Sequence, residues 1–204
     1  IVGLAYPALL FRSVDVNKEV LVIAHRGAAG AAPENTLASI DHAVDDGTDW
    51  VEIDVQETRD GEIVVVHDSD FMKLSGNATK VWEGDLEEIR QIDVGSWFDS
   101  RFSDQRVPTL FEVLQVIRRS NSNLVIELKY YGHDEKLEQR VIEIVESADM
   151  VDRIAIMSLK LDGVLKVQDL RPTWTTGLLA VTALGDITRL HIDFLAVNQS
   201  KASA

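Results

Sequence analysis

The sequence predicts an α/β fold of parallel strands joined by crossover helices. Short apolar runs alternate with segments of helical periodicity, and the strand candidates number about seven. The length, 204 residues, suits one substantial core. It falls short of the about 250 residues typical of an eight-stranded barrel. A (β/α)8 barrel lacking its last unit and an open doubly wound sheet both fit this count.

Val20–Ala24 is an apolar strand candidate, and residues 35–46 follow as a helix with Leu37, Ile40 and Val44 on one face and Gly47 as the stop. Trp50–Gln56 and Ile63–Val66 are strands separated by a turn at Arg59-Asp60-Gly61. The stretch 68–106 is irregular. After Pro108, Thr109-Leu-Phe-Glu112 forms a capping box opening a helix whose apolar face is Leu110, Val113, Leu114 and Ile117. Leu124–Lys129 is the next strand, and Asp134 is expected to cap a helix carrying Leu137, Val141, Ile144 and Val145. A strand at Ile154–Met157, a helix over 160–169, a strand at Thr176–Ala180, a short helix near 186–190 and a strand at Phe194–Val197 complete the reading.

Composition removes several classes of function. The formal charge of −14 is the wrong sign for holding a phosphate backbone, so no nucleic-acid partner is expected, and an anionic substrate needs a local positive centre. With no cysteine, thiolate metal sites and cysteine nucleophiles are excluded, leaving oxygen or histidine to ligate any metal. Residues 1–11 carry no charge and the chain opens on Ile. This apolar leader, about 1–18, reads as the end of a membrane segment with Arg12 and Lys18 at its interface, as a signal remnant, or as a packed strand.

The chemistry sits on two strands. Period two puts Glu52, Asp54 and Gln56 on one face of Trp50–Gln56, opposite Val51, Ile53 and Val55. A strand covered on both sides cannot leave two carboxylates unpaired without a cost of several kcal/mol each, and a divalent cation removes it. Leu124–Lys129 adds Glu127 and Lys129 on one face. Three oxygen ligands suit Mg²⁺ or Ca²⁺; the alternative is structural carboxylates with an internal Glu127–Lys129 ion pair. His25 and His67 both follow strands, at the ends where parallel α/β folds bind ligands, and two imidazoles there supply a general base and a general acid. His42, His133 and His191 receive no role. The small-residue run 27–32 lacks the spacing of a nucleotide-binding loop.

Together these residues resemble the glycerophosphodiester phosphodiesterase family. The matching features, in order, are His25-Arg26-Gly27, Pro33-Glu34-Asn35-Thr36, Glu52-Ile-Asp54-Val55, Thr58-Arg-Asp60-Gly61 with His67-Asp68, Pro108-Thr109-Leu110 and Glu127-Leu-Lys129, spread over about residues 20–130. The resemblance implies a (β/α)8 TIM barrel, incomplete at its C-terminal end, that hydrolyses glycerophosphodiesters to sn-glycerol 3-phosphate and an alcohol. It implies Glu52, Asp54 and Glu127 as ligands of one divalent cation, Mg²⁺ or Ca²⁺, His25 and His67 as the acid/base pair, and Arg26 and Lys129 as phosphate contacts. Residues 19–204 would be the barrel, with an insertion at about 68–106 whose Trp97 and Phe98 either line the substrate mouth or simply pack. An eighth strand with the family's Trp-containing signature is missing, a gap that further chain or a second copy would fill. The apolar leader resembles members with a preceding membrane domain, so anchoring through the N-terminal side is expected. A lysophospholipase D-like activity and a non-catalytic barrel are the alternatives.

Overall fold

A computed structural model of the chain describes residues 20–180 and 190–197. The apolar leader at 1–18 and most of the short helix expected near 186–190 lie outside the described residues. The main sheet contains β1 (Ile23–Ala24), β2 (Trp50–Glu57), β3 (Ile63–Val65), β6 (Asn123–Leu128), β7 (Ile154–Ser158), β8 (Thr176–Ala180) and β9 (Phe194–Val197); β4 (Asp70–Phe71) and β5 (Asn77–Lys80) form a separate hairpin. The helices are α1 (Leu37–Asp45), α2 (Met72–Ser75), α3 (Leu86–Ile89), α4 (Leu110–Arg118), α5 (Leu137–Ser147) and α6 (Leu161–Leu170).

Strand order decides the architecture. The parallel strands run β1-β2-β6-β7-β8-β9, in chain order and without reversal. A doubly wound sheet needs a point where the order reverses, so this is the wall of a barrel. Among the described residues β1 pairs only with β2 and β9 only with β8, leaving the wall open between them.

β3 departs from the all-parallel expectation. It folds back antiparallel on the C-terminal end of β2, pairing Val55 with Val65 and Glu57 with Ile63, because only a short turn centred on Gly61 separates the two strands. A parallel partner would need a crossover of a dozen residues or more. β1 is also shorter than its apolar run: Val20, Leu21 and Val22 are mostly exposed, and pairing begins at Ile23.

Alternation along the strands creates two layers. Val51, Ile53, Val55, Leu124, Ile126 and Leu128 face outward and pack with Leu110, Leu114, Ile117, Val141 and Val145 of the helices in one buried cluster. Thr109 caps α4 through the expected box with Glu112, and Thr36 caps α1 through a second box with Ser39. The expected Asp134 cap of α5 is replaced. Lys136 holds the N-cap position without a side-chain bond, and Glu57 at the end of β2 accepts from the backbone N–H groups of Glu135 (2.7 Å) and Lys136 (3.1 Å). A carboxylate at a helix N-terminus satisfies the same orphan donors, here supplied from a distant strand.

The insertion, expected to be irregular, contains β4, β5, α2 and α3 around its own apolar cluster of Val66, Phe71, Leu74, Val81, Ile89, Ile92, Val94 and Val107, joined by Val64 of β3. No helix among the described residues is long and apolar enough to cross a membrane.

Candidate active site

The inward face of the wall is polar at one level. Glu52, Asp54 and Gln56 on β2 and Glu127 on β6 are all buried, and Asp54 stands directly beside Glu127 in the β2–β6 register. One carboxylate oxygen each from Glu52, Asp54 and Glu127 lies within 4.8 Å of the other two. Parallel pairing and period two produce this convergence: the same face of two neighbouring strands places acids at adjacent rungs.

The first βα turn closes over the triad. Arg26 (φ 54°) and Gly27 (φ 71°) are consecutive left-handed residues. That conformation costs a non-glycine residue about 1 kcal/mol or more. A Cβ on Gly27 would fall 2.4 Å from Ser39 Oγ, so glycine is required there. The turn brings the Arg26 backbone N–H to donate to Glu52 Oε2 at 2.8 Å and sets His25 Nε2 3.8 Å from the same oxygen. The amides of Gly27 and Ala28 donate to the carbonyls of Glu52 and Ser39, so this run is not an anion cradle.

Side chains around the triad satisfy some of its oxygens and leave others. Asn35, also left-handed at φ 57°, donates to Asp54 Oδ2 at 2.9 Å and accepts the Asp54 backbone N–H at 3.2 Å. Lys129 donates to Glu127 Oε1 at 3.0 Å and stands 3.6 Å from Asp54 Oδ1; the internal ion pair considered from the sequence therefore forms. It does not exhaust the site. Glu52 Oε1 and Asp54 Oδ1 are buried without a hydrogen-bond donor among the described residues, and so is the Arg26 Nε donor, 3.4 Å from Asp54 Oδ2. Three buried carboxylates face two cationic side chains, with two acceptor oxygens left over. A hard divalent cation bound by oxygen ligands fits that remainder.

Electrostatics carries the same imbalance. Burial, reinforced by the Asp54 charge, pushes the Glu52 carboxyl up to about 8. Burial also raises Glu127, with Lys129 opposing and Asp54 adding to the rise. Burial alone would lower the Lys129 ammonium, yet the carboxylates of Asp54 and Glu127 outweigh it and hold it above its ordinary value. Partial burial and the neighbouring Arg26 lower His25.

A carboxyl raised by folding keeps its proton after the unfolded chain has lost it, so Glu52 weakens the metal-free fold as pH rises from its ordinary 4.5 toward about 8. Glu52→Gln, which has no proton to lose, should therefore gain Tm relative to the parent as pH increases through this window, and a saturating cation should narrow the difference. Paired thermal melts at several pH values check this; a constant difference contradicts it.

His67 sits at the end of β3, where its Nδ1 is 2.7 Å from Asp68 Oδ1. A carboxylate oxygen beside Nδ1 favours the tautomer with the proton on that nitrogen, which leaves Nε2 bare in the neutral ring. Arg26 reaches Glu34 at 3.0 Å, and Lys73 of α2 grips the same carboxylate at 2.7 Å, linking the barrel to the insertion. Lys73 in turn lies over the ring of half-exposed Trp97, which stacks edge-on against Phe98. Trp97 thus reaches the site through Lys73 and Glu34, whereas Phe98 packs between Trp97 and Phe102.

Asn35, Glu34 and Gln56 make contacts that no local pattern announces. Asn35 and Glu34 lie inside the quoted Pro-Glu-Asn-Thr run, and Gln56 completes the polar face of β2, so position marked all three while their partners stayed hidden.

The chain is similar to known proteins in sequence and in structure. The family model for the glycerophosphoryl diester phosphodiesterase family matches residues 25–200. YhdW of Bacillus subtilis is 35% identical over 181 residues, covering 89% of this chain and 71% of that protein. The glycerophosphodiester phosphodiesterase of Caldanaerobacter subterraneus is 36% identical over 166 residues, 79% of this chain and 67% of the relative. A phosphodiesterase of Oleispira antarctica, solved in complex with the product sn-glycerol-3-phosphate, superimposes with a TM-score of 0.84 at 30% identity, covering 90% of this chain and 77% of that one.

Proposed function

The chain belongs to the glycerophosphoryl diester phosphodiesterase family, and from that premise we propose that it hydrolyses glycerophosphodiesters to sn-glycerol 3-phosphate and an alcohol, using one divalent cation and the pair His25 and His67. The observation that carries this reading is the buried triad of Glu52, Asp54 and Glu127, two of whose oxygens have no donor among the described residues, beside an imidazole oriented by a carboxylate.

Glu52, Asp54 and Glu127 would hold Mg²⁺ or Ca²⁺, which when bound supplies Lewis acidity and a template for phosphate and hydroxyl oxygens. The chain's own groups do the rest. One histidine removes the proton from the attacking hydroxyl or water, and the other protonates the departing alkoxide. His67 enters this exchange through Nε2, its tautomer fixed by Asp68. Arg26, with its buried Nε unbonded, and Lys129, standing between Asp54 and Glu127, are placed to stabilise the negative charge that grows on the phosphoryl oxygens. Glu34 holds the Arg26 guanidinium in register.

Product analysis tests the proposal. The protein, supplied with Mg²⁺ or Ca²⁺, is expected to release choline and sn-glycerol 3-phosphate from glycerophosphocholine and no choline from lysophosphatidylcholine. The reverse pattern selects the lysophospholipase D-like reading, and no release from either selects the non-catalytic barrel.

A further inference from the structure

Gln56 is almost completely buried on the inward face of β2, next to Asp54, yet it bonds none of the triad. Its side-chain amide nitrogen instead donates to the main-chain carbonyls of Val66 (2.9 Å), His67 (3.2 Å) and Asp68 (2.8 Å). Two N–H groups are shared among three carbonyl oxygens that point at one atom. Convergent carbonyl dipoles repel each other, so the backbone curl at 66–68 requires a donor at its centre. A second donor reaches the same segment from the loop after β6: Tyr131 Oη donates to the His67 carbonyl at 2.8 Å. Directly upstream, the Val66 amide donates to the Asp54 carbonyl, so the curl begins from a fixed point on β2.

We infer that Gln56 is a positioning residue for proton transfer: by gathering the carbonyls of 66–68 it fixes the backbone from which the His67–Asp68 pair projects, with Tyr131 holding the curl from outside. This rests on the assignment of His67 to the acid/base pair. Misplacement by about 1 Å is enough to cost about a hundredfold in rate, which makes the backbone under an imidazole a rate-determining piece of structure. The role acts through His67 alone, and that separates it from a general contribution to stability.

The test is a mutant cycle on the cation-loaded protein. Gln56→Met, nearly equal in length and without donors, is expected to lower kcat by about tenfold to a hundredfold while the Kd for Mg²⁺ or Ca²⁺, measured by calorimetry with the metal alone, stays within about twofold. In a His67→Ala background the same substitution should cause no further loss of kcat, whereas in a His25→Ala background it should cause its full loss. Equal losses in both backgrounds overturn the positioning role while leaving His67 in place. Full activity of His67→Ala by itself removes the proton-transfer assignment and the positioning role with it. If Gln56→Met fails to fold, Tyr131→Phe, at a side chain 38% exposed, carries the same cycle with a single-bond loss of about fivefold; equal losses in both backgrounds overturn the inference there too.

Discussion

Asp54→Asn is expected to abolish turnover, by roughly 10³-fold or more, and to make the protein indifferent to added Mg²⁺ or Ca²⁺. Asp54 is completely buried on β2 beside Glu127 of β6, with Oδ2 held by Asn35 and Oδ1 left without a donor among the described residues. An amide in its place removes the central charge of the triad while preserving shape. The loss should therefore be chemical, with the fold retained. The parent should lose activity on exhaustive chelation and regain it on adding the cation, while Asp54→Asn should show neither response. Steady-state rates before and after chelation decide this. Activity that survives chelation would make the three carboxylates a structural network held by Lys129 and Arg26.

His25→Ala and His67→Ala should each lower kcat by about 10² to 10⁴ with the fold intact. The two sites differ physically. His25 is 68% exposed and stands over Glu52, while His67 is anchored by Asp68, by the Gln56 clamp beneath it and by Tyr131. A diester with a nitrophenol leaving group needs little help from a general acid, so the variant lacking the acid should recover most of its loss on that substrate and the variant lacking the base should not. Comparing both substrates for both variants assigns the roles. Full activity in both single variants would remove the histidine pair from the mechanism.

Features with a local signature were legible in the sequence. Period two on Trp50–Gln56 and Leu124–Lys129 separated the polar from the apolar layer as the strands are now seen to lie, and the Thr109–Glu112 box marked the start of α4. Strand order was only partly legible. The turn around Gly61 announced a reversal, but the antiparallel return of β3 depends on the free edge that short β1 leaves on β2. The α5 cap was missed for a related reason: Glu57 reaches residues 135 and 136 from another strand, and no spacing rule reports a bond across that separation. The same holds for the Asn35 clamp on Asp54 and the Gln56 clamp under His67, both side-chain contacts that exist only after the sheet has formed. The Lys129–Glu127 pair, which the sequence offers as an alternative to cation binding, does form, and it still leaves Glu52 Oε1 and Asp54 Oδ1 without a partner among the described residues.

The cation site itself is tested most directly by a crystal structure of the protein grown with Mn²⁺ in place of Mg²⁺, with anomalous scattering used to find the ion. The arrangement of β2 and β6 predicts one peak per chain, about 2 to 2.5 Å from carboxylate oxygens of Glu52, Asp54 and Glu127 and absent from Asp54→Asn. An empty triangle of carboxylates in the parent, with Mn²⁺ elsewhere or nowhere, would contradict it.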